Sequence, residues 1–131
     1  MIRWLIRSAM IAMYPRTEQL PGVEDCDPDV FLDRFRKESS MLVWLGVLGG
    51  ALFFQAGPII TLGVPLPFAW LPAGLRQQYV RKVSGHPIYH LRQLIFLVKF
   101  AAGLCWGAHP LVRAQLALPN YAADPGTWRS A

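Results

Sequence analysis

The sequence predicts a small all-α domain that associates with a membrane. Three observations indicate this fold class. Of the 131 residues, 53% are hydrophobic and only 16% are charged, whereas an ordinary soluble domain has roughly 25% charged residues. The 37 residues from Ser39 to Leu75 carry no charge at all. On both sides of this segment apolar residues recur at helical spacing. We therefore expect one domain over residues 1–131, and the low charge argues against a free-standing soluble enzyme.

Residues 1–14 are predicted to form an amphipathic helix. Arg3 and Arg7 lie on its polar side. Its apolar side consists of Ile2, Leu5, Ile6, Ala9 and Met13. The helix should end before Tyr14-Pro15, because a residue that precedes proline is disfavoured in the α conformation. We expect its apolar side to lie on the membrane or on a partner, and the alternative is a core helix of a small bundle.

Residues 15–28 are predicted to form an acidic loop that contains three prolines. Asp27-Pro28 is typical of a helix start, with Asp27 as N-cap and proline at the first helical position. The helix that follows leads towards the apolar segment, so residues 29–62 are expected to form a helix and a membrane segment. Asp33 and Lys37 have the i,i+4 spacing of a helical ion pair. The acids match no calcium-loop spacing and are interpreted as solvated charges.

The uncharged segment predicts one helix of membrane length. A helix from Ser40 to Gly57 is roughly 27 Å long, close to the hydrocarbon thickness of about 30 Å. Four prolines follow, and they cannot all lie in one straight helix. Two arrangements stay open: a single span that ends near Leu62, or a re-entrant helix that turns back at Gly57-Pro58. The residues expected to belong to the membrane segment are Met41, Leu45, Leu48, Leu52, Phe53 and Phe54.

Residues 63–86 are predicted to be a proline-rich loop with a short helix, and residues 88–118 to be helical. Arg92 and Lys99 project from one side of the helix over Ile88–Trp106. Because charges near the bilayer centre are costly, this helix is expected at the interface or against an acidic or cofactor-bearing partner. A short helix over Leu111–Leu118 and an irregular tail over 119–131 complete the prediction. The other face of the longer helix carries Leu91, Leu94, Ile95, Val98, Ala102 and Cys105.

The sequence predicts no catalytic, cofactor-binding or metal-binding residue. It lacks a phosphate loop and a dinucleotide-binding glycine pattern. His86, His90 and His109 leave open the alternative of a haem-bearing membrane electron carrier, and Cys26 and Cys105 are interpreted as packing residues. The formal net charge is +5. Since the bases flank apolar runs, anionic lipid is the expected partner and nucleic acid is not.

Two stretches resemble a known family. The first runs from Met13 to Phe35 and contains Met-Tyr-Pro-Arg, Leu-Pro-Gly and Asp-Pro-Asp-Val-Phe-Leu-Asp-Arg-Phe. The second runs from Pro67 to Arg113 and begins Pro-Phe-Ala-Trp-Leu. Together they resemble the helical N-terminal region of long-chain alcohol oxidases of the glucose-methanol-choline flavoprotein family. They are also similar to the small proteins that accompany such flavoproteins in bacteria. The resemblance covers about residues 13–115.

The resemblance implies a non-catalytic accessory subunit of a membrane-bound flavin-dependent alcohol dehydrogenase in the bacterial inner membrane. It places FAD and the catalytic histidine in a large flavoprotein partner. The chain would anchor and stabilise that partner, and its segment from Phe53 to Trp70 would shape an apolar route for a long-chain alcohol or a quinone. A small structural subunit of a respiratory or photosynthetic complex is the other alternative. The residues expected to contact the partner are Phe68, Leu71, Arg76, Tyr79, Arg92, Lys99, Trp106 and Arg113.

Overall fold

The computed structural model describes residues 1–120, and in this part of the chain every regular element is helical. The predicted all-α class is therefore confirmed. Two short 3-10 helices, Val23–Asp25 and Phe68–Trp70, lie between the longer elements. The predicted irregular tail falls outside the described residues from position 121 onward. The α-helices are α1 (Ile2–Met13), α2 (Pro28–Glu38), α3 (Met41–Thr61), α4 (Ala73–Ser84), α5 (Tyr89–Ala108) and α6 (Pro110–Gln115).

Helices α3 and α5 form the antiparallel centre of the domain and share its largest interface. Gly46 faces Leu97, whereas Gly50, one turn later on α3, faces Leu94 and Val98. A Cβ atom at Gly50 would collide with the main-chain carbonyl oxygen of Leu94. The two backbones therefore meet at Gly50, where a glycine is needed to let them approach so closely.

Helix α1 packs on both central helices with its apolar side. Ile6, Ala9 and Met10 are fully buried, and Gln55 Nε2 of α3 donates to Ser8 Oγ at 2.6 Å. The helix ends at Met13, as predicted. The prediction that its apolar side lies on a membrane or on a partner is wrong, because α3 and α5 already cover that side. The alternative of a core helix is correct.

Helix α2 runs antiparallel to α1 and is joined to it by two ion pairs. Arg3 pairs with Asp33, and Arg7 pairs with Asp29 at 3.2 Å. Both carboxylates remain about half exposed, so they are solvated charges, as predicted, that also pair with the arginines of α1. Exposed pairs of this kind stabilise by about 1 kcal/mol at most. Their main effect is to fix the direction of α2 along α1.

The ends of α2 differ from the prediction in three respects. The i,i+4 ion pair within α2 joins Arg34 to Glu38 at 3.1 Å, and Asp33 turns to α1 instead of Lys37. Two serines separate α2 from α3, and Ser40 Oγ caps α3 by accepting from Val43 N at 3.3 Å. Asp27 occupies the N-cap position of α2 with φ 49°, and its carboxylate makes no capping hydrogen bond. The Asp27 carboxylate instead contacts His109, which lies 82 residues later in the chain.

The acidic loop is attached to the far end of α5. His109 Nδ1 accepts from Leu111 N, so its Nε2 carries the proton and donates to Asp27 Oδ2 at 3.2 Å. Trp106 Nε1 donates to the carbonyl oxygen of Pro21 at 2.8 Å. Within the loop, the hydrogen bond from Arg16 lowers the pKa of Asp25. These contacts fold residues 15–28 back onto the helices.

Helix α3 continues through Pro58 to Thr61, so the re-entrant turn at Gly57-Pro58 is wrong. Proline has no N–H, and the carbonyl of Phe54 therefore loses its usual helical donor four residues later. Tyr79 Oη of α4 donates to that carbonyl at 2.7 Å. A Cβ atom at Gly57 would occupy the position of this hydroxyl. Tyr79 thus replaces the hydrogen bond that Pro58 removes, and Gly57 leaves the space for it.

The predicted proline-rich loop over 63–86 is mostly structured. It contains α4, which is 12 residues long and therefore more than a short helix. Phe54, Phe68 and Tyr79 form an aromatic cluster between α3 and α4, with the ring centroid of Phe54 4.5 Å from Phe68 and 5.1 Å from Tyr79. After α5, the predicted helix over Leu111–Leu118 is observed as α6, which is shorter and begins at Pro110.

The thiol of Cys26 provides a test of the packing between the loop and the helices. It is 3% exposed and donates to the carbonyl oxygen of Gly22 at 3.3 Å. Burial raises its pKa to about 11.

Because the thiolate is the reactive form of cysteine, we expect iodoacetamide at pH 7.5 to leave Cys26 unmodified in the folded protein. Mass spectrometry should show two adducts, on Cys26 and Cys105, only after denaturation. Labelling of native Cys26 at the rate of a free peptide would contradict this packing.

Candidate functional site

Helices α3 and α5 leave a large apolar surface uncovered, which we call the apolar face. On α3 its residues lie on the side opposite the buried Trp44, Val47 and Phe54. On α5 they recur every four residues. Both helices are long and apolar enough to cross a membrane. The apolar face consists of Met41, Leu42, Leu45, Leu52, Ile59, Ile60, Phe96, Phe100 and Leu104, all exposed.

The six residues predicted for the membrane segment all lie on α3, and the structure divides them into three groups by exposure. Met41, Leu45 and Leu52 are exposed on the apolar face. Leu48 and Phe53 are half-buried at its edge. Phe54 is fully buried in the aromatic cluster and faces the core of the domain. Helical spacing places Phe54 on the inner side of α3, and an unbroken apolar run does not reveal which side that is.

Three of the predicted partner contacts are core residues of this chain. Phe68, Leu71 and Tyr79 are at most 6% exposed, so their side chains cannot reach a partner. This part of the prediction is wrong because the 3-10 helix and α4 turn these side chains inward, onto α3. The inward role of Tyr79 could have been inferred from Pro58. Because Pro58 has no N–H, the carbonyl of Phe54 needs another donor, and a nearby tyrosine hydroxyl can provide it.

Three further predicted contacts hold the chain to itself. Arg76 Nε donates to the carbonyl oxygen of Leu71 at 2.7 Å, and its Nη2 donates to that of Ala69 at 2.9 Å. Arg113 Nη1 donates to the carbonyl oxygen of Gly107 at 3.3 Å. Trp106, besides its bond to the acidic loop, stacks on Tyr14 with 5.5 Å between ring centroids. These three residues therefore stabilise contacts within the chain, although Arg76 remains exposed.

Arg92 and Lys99 are exposed on α5, as a role at a partner or lipid surface requires. They lie on one edge of the stripe formed by Phe96 and Phe100, because positions 92, 96, 99 and 100 are neighbours on a helix. The Arg92 guanidinium stands over the ring of Tyr89 at 5.8 Å from its centroid. This edge places two positive charges directly beside the apolar face. Phe96 and Phe100 were not among the predicted site residues, although their spacing of four residues was the available signal.

Two of the three histidines, His86 and His109, have hydrogen-bond partners, and the ring of His90 contacts that of Tyr89. Both ring nitrogens of His109 have partners, which leaves neither for a haem iron. His86 Nδ1 accepts from Ile88 N at 3.2 Å. Among residues 1–120, the acidic, cysteine and histidine side chains form no group of three suited to a metal ion.

What the described part of the chain offers is a binding surface: an apolar face with a basic edge, held rigid by helices packed behind it. Its chemistry is that of contact with lipid tails, with anionic groups or with the apolar surface of another protein. Comparison of the chain with family models, with curated proteins and with solved structures finds no match.

Proposed function

We propose that this chain is a non-catalytic accessory subunit that anchors a membrane-bound flavin-dependent alcohol dehydrogenase and stabilises its catalytic subunit. The observation that carries the proposal is the apolar face, which two helices of membrane length present to the outside of the chain. Burying such a surface is favourable by roughly 25 cal/mol per Å². In the cell the face is therefore covered by lipid or by a partner.

The charge distribution supports a position at a membrane surface. Arg92 and Lys99 border the apolar face, and no acid lies on α5. Basic residues at the edge of a lipid-facing surface attract anionic headgroups by about 1 kcal/mol each. On the helices packed behind this face, both arginines of α1 are paired with acids of α2. We therefore propose that α3 and α5 contact lipid, or a subunit embedded in it, through the apolar face.

The identity of the partner is proposed from the resemblance of residues 13–115 to the helical region of long-chain alcohol oxidases. That resemblance supports a large flavoprotein that carries FAD, at the inner membrane of a bacterium. The proposed apolar route for a long-chain alcohol or a quinone has to pass outside the aromatic cluster, since Phe54 and Phe68 fill the interior. Ile59, Ile60 and Trp70 are the large apolar residues of that segment that are exposed, and such a route would follow them.

The test is purification of the tagged chain in a mild detergent, with mass spectrometry and an absorption spectrum. We expect a large flavoprotein in roughly equal amount, with a flavin spectrum. Phe100→Glu should lower both the membrane-bound fraction and the recovered flavoprotein, because it places a charge within the apolar face. Val30→Glu is the matched control: Val30 is 69% exposed on α2, away from the face, and its substitution should change neither quantity.

Three results would contradict the proposal. Respiratory or photosynthetic subunits in place of a flavoprotein would identify a structural subunit of a larger membrane complex. A Soret band in the purified chain would identify a haem-bearing carrier. Equal effects of Phe100→Glu and Val30→Glu would show that the apolar face is not the anchoring surface.

A further inference from the structure

A groove lies between α1, the 3-10 helix Phe68–Trp70 and α4. Its volume is about 680 Å³, within the roughly 300–1,000 Å³ of small-molecule sites. The walls are mostly apolar and include Ala12, Phe68, Ala73 and Val80. The groove is separate from the apolar face, because no residue of α3 or α5 lines it.

The charged residues of the groove are all basic. Arg76 and Arg81 of α4 line it, and no carboxylate does. Arg76 uses Nε and Nη2 for its own backbone, which leaves its Nη1 donors for a ligand. Within residues 1–120 no acid pairs with either guanidinium. An apolar cavity with two guanidinium groups at its wall complements a molecule that has an apolar chain and an anionic head.

We infer that the groove binds one anionic phospholipid, with an acyl chain against the apolar wall and the phosphate at Arg76 and Arg81. Two observations favour a lipid over other anions. The chain has two helices of membrane length, so phospholipid is the amphiphile expected to surround it. Trp70, next to the groove residues Phe68 and Ala69, is 73% exposed, and exposed tryptophans are enriched at headgroup depth. This inference goes beyond the anchoring role and does not require the flavoprotein.

The experiment uses the full chain in a neutral detergent and native mass spectrometry. Phosphatidylglycerol and phosphatidylcholine with identical acyl chains are added in turn. We expect one phosphatidylglycerol to be retained, with affinity about tenfold above that of phosphatidylcholine. Both lipids carry a phosphate, but the choline cation of phosphatidylcholine offsets its charge, so only phosphatidylglycerol presents a net negative headgroup to the two arginines. Arg81→Gln should remove most of this preference. Lys82→Gln is the matched control, since it removes the same charge from a position that does not line the groove.

A second pair of variants tests the apolar wall. Ala73 is exposed on α4 and lines the groove, so Ala73→Phe should fill it and weaken phosphatidylglycerol binding. Gln78→Phe places the same aromatic side chain on α4 outside the groove and should not weaken binding. Circular dichroism establishes that each variant is folded.

The inference is overturned if the two lipids bind equally, or if Arg81→Gln and Lys82→Gln have the same effect. It is also overturned if oleate or inorganic phosphate displaces the lipid at equal concentration, because the site would then recognise a fatty acid or a free anion. None of these results depends on a flavoprotein, so the failure of this inference and the failure of the anchoring proposal are distinguishable.

Discussion

Gly50→Ala is expected to lower the free energy of unfolding by about 1–3 kcal/mol, the usual cost of added volume in a well-packed interface. Its new methyl group would collide with the carbonyl oxygen of Leu94 and come within 2.8 Å of Val98 Cγ2. A backbone atom cannot rotate away as a side chain can, so α3 and α5 have to move apart. That movement would disturb the buried side chains along the largest interface of the domain.

Gly49→Ala is the matched control for this prediction. The nearest atom to its new methyl group is Leu94 Cδ2 at 4.0 Å, an ordinary contact. Because alanine has a higher helix propensity than glycine by up to about 1 kcal/mol, this variant should be as stable as the parent or more stable. Thermal unfolding followed by circular dichroism in detergent compares the two. Equal stabilities would show that α3 and α5 are not in backbone contact.

Tyr79→Phe is expected to cost about 1–3 kcal/mol, because it leaves the buried carbonyl of Phe54 without a donor. The change removes one oxygen atom and keeps the ring in the aromatic cluster, so packing is nearly unchanged. Chemical denaturation in detergent measures the loss. A variant as stable as the parent would show that the hydroxyl does not compensate for Pro58.

A double-mutant cycle separates this hydrogen bond from other effects of the tyrosine. Pro58→Ala restores an N–H at position 58, which then donates to Phe54 within α3. In that background Tyr79→Phe should cost clearly less than it does in the parent, and the difference is the coupling between the two positions. Additive effects would mean that the hydroxyl and the proline act independently.

Local signals predicted the helices more reliably than the contacts between them. Proline at position 15 placed the end of α1 correctly, and helical spacing identified the buried side of α5 at Ile95, Val98 and Cys105. The continuation of α3 through Pro58 could not be predicted from the local sequence, since proline ordinarily interrupts a helix. The compensation comes from Tyr79, which is 25 residues away in sequence.

The site was predicted less well than the fold because motif residues do not reveal their exposure. Phe68, Leu71 and Tyr79 were chosen because they belong to the resembling stretch, yet the side chains of all three are buried in the core. Contacts such as that between Asp27 and His109, 82 residues apart, join segments whose relation depends on the whole bundle. Arg92 and Lys99 were placed on a surface correctly, since a spacing of seven residues on a helix is a local property.

The bond between Tyr79 and Phe54 also constrains the order in which the chain assembles during synthesis. Translation proceeds at about 5–20 residues per second, so the 25 residues between them correspond to a delay of about one to five seconds. Through that interval the carbonyl of Phe54 has no protein donor, and a buried carbonyl without a donor costs about 1–3 kcal/mol. We therefore expect nascent α3 to keep this end near water and to reach its final position only when α4 has docked.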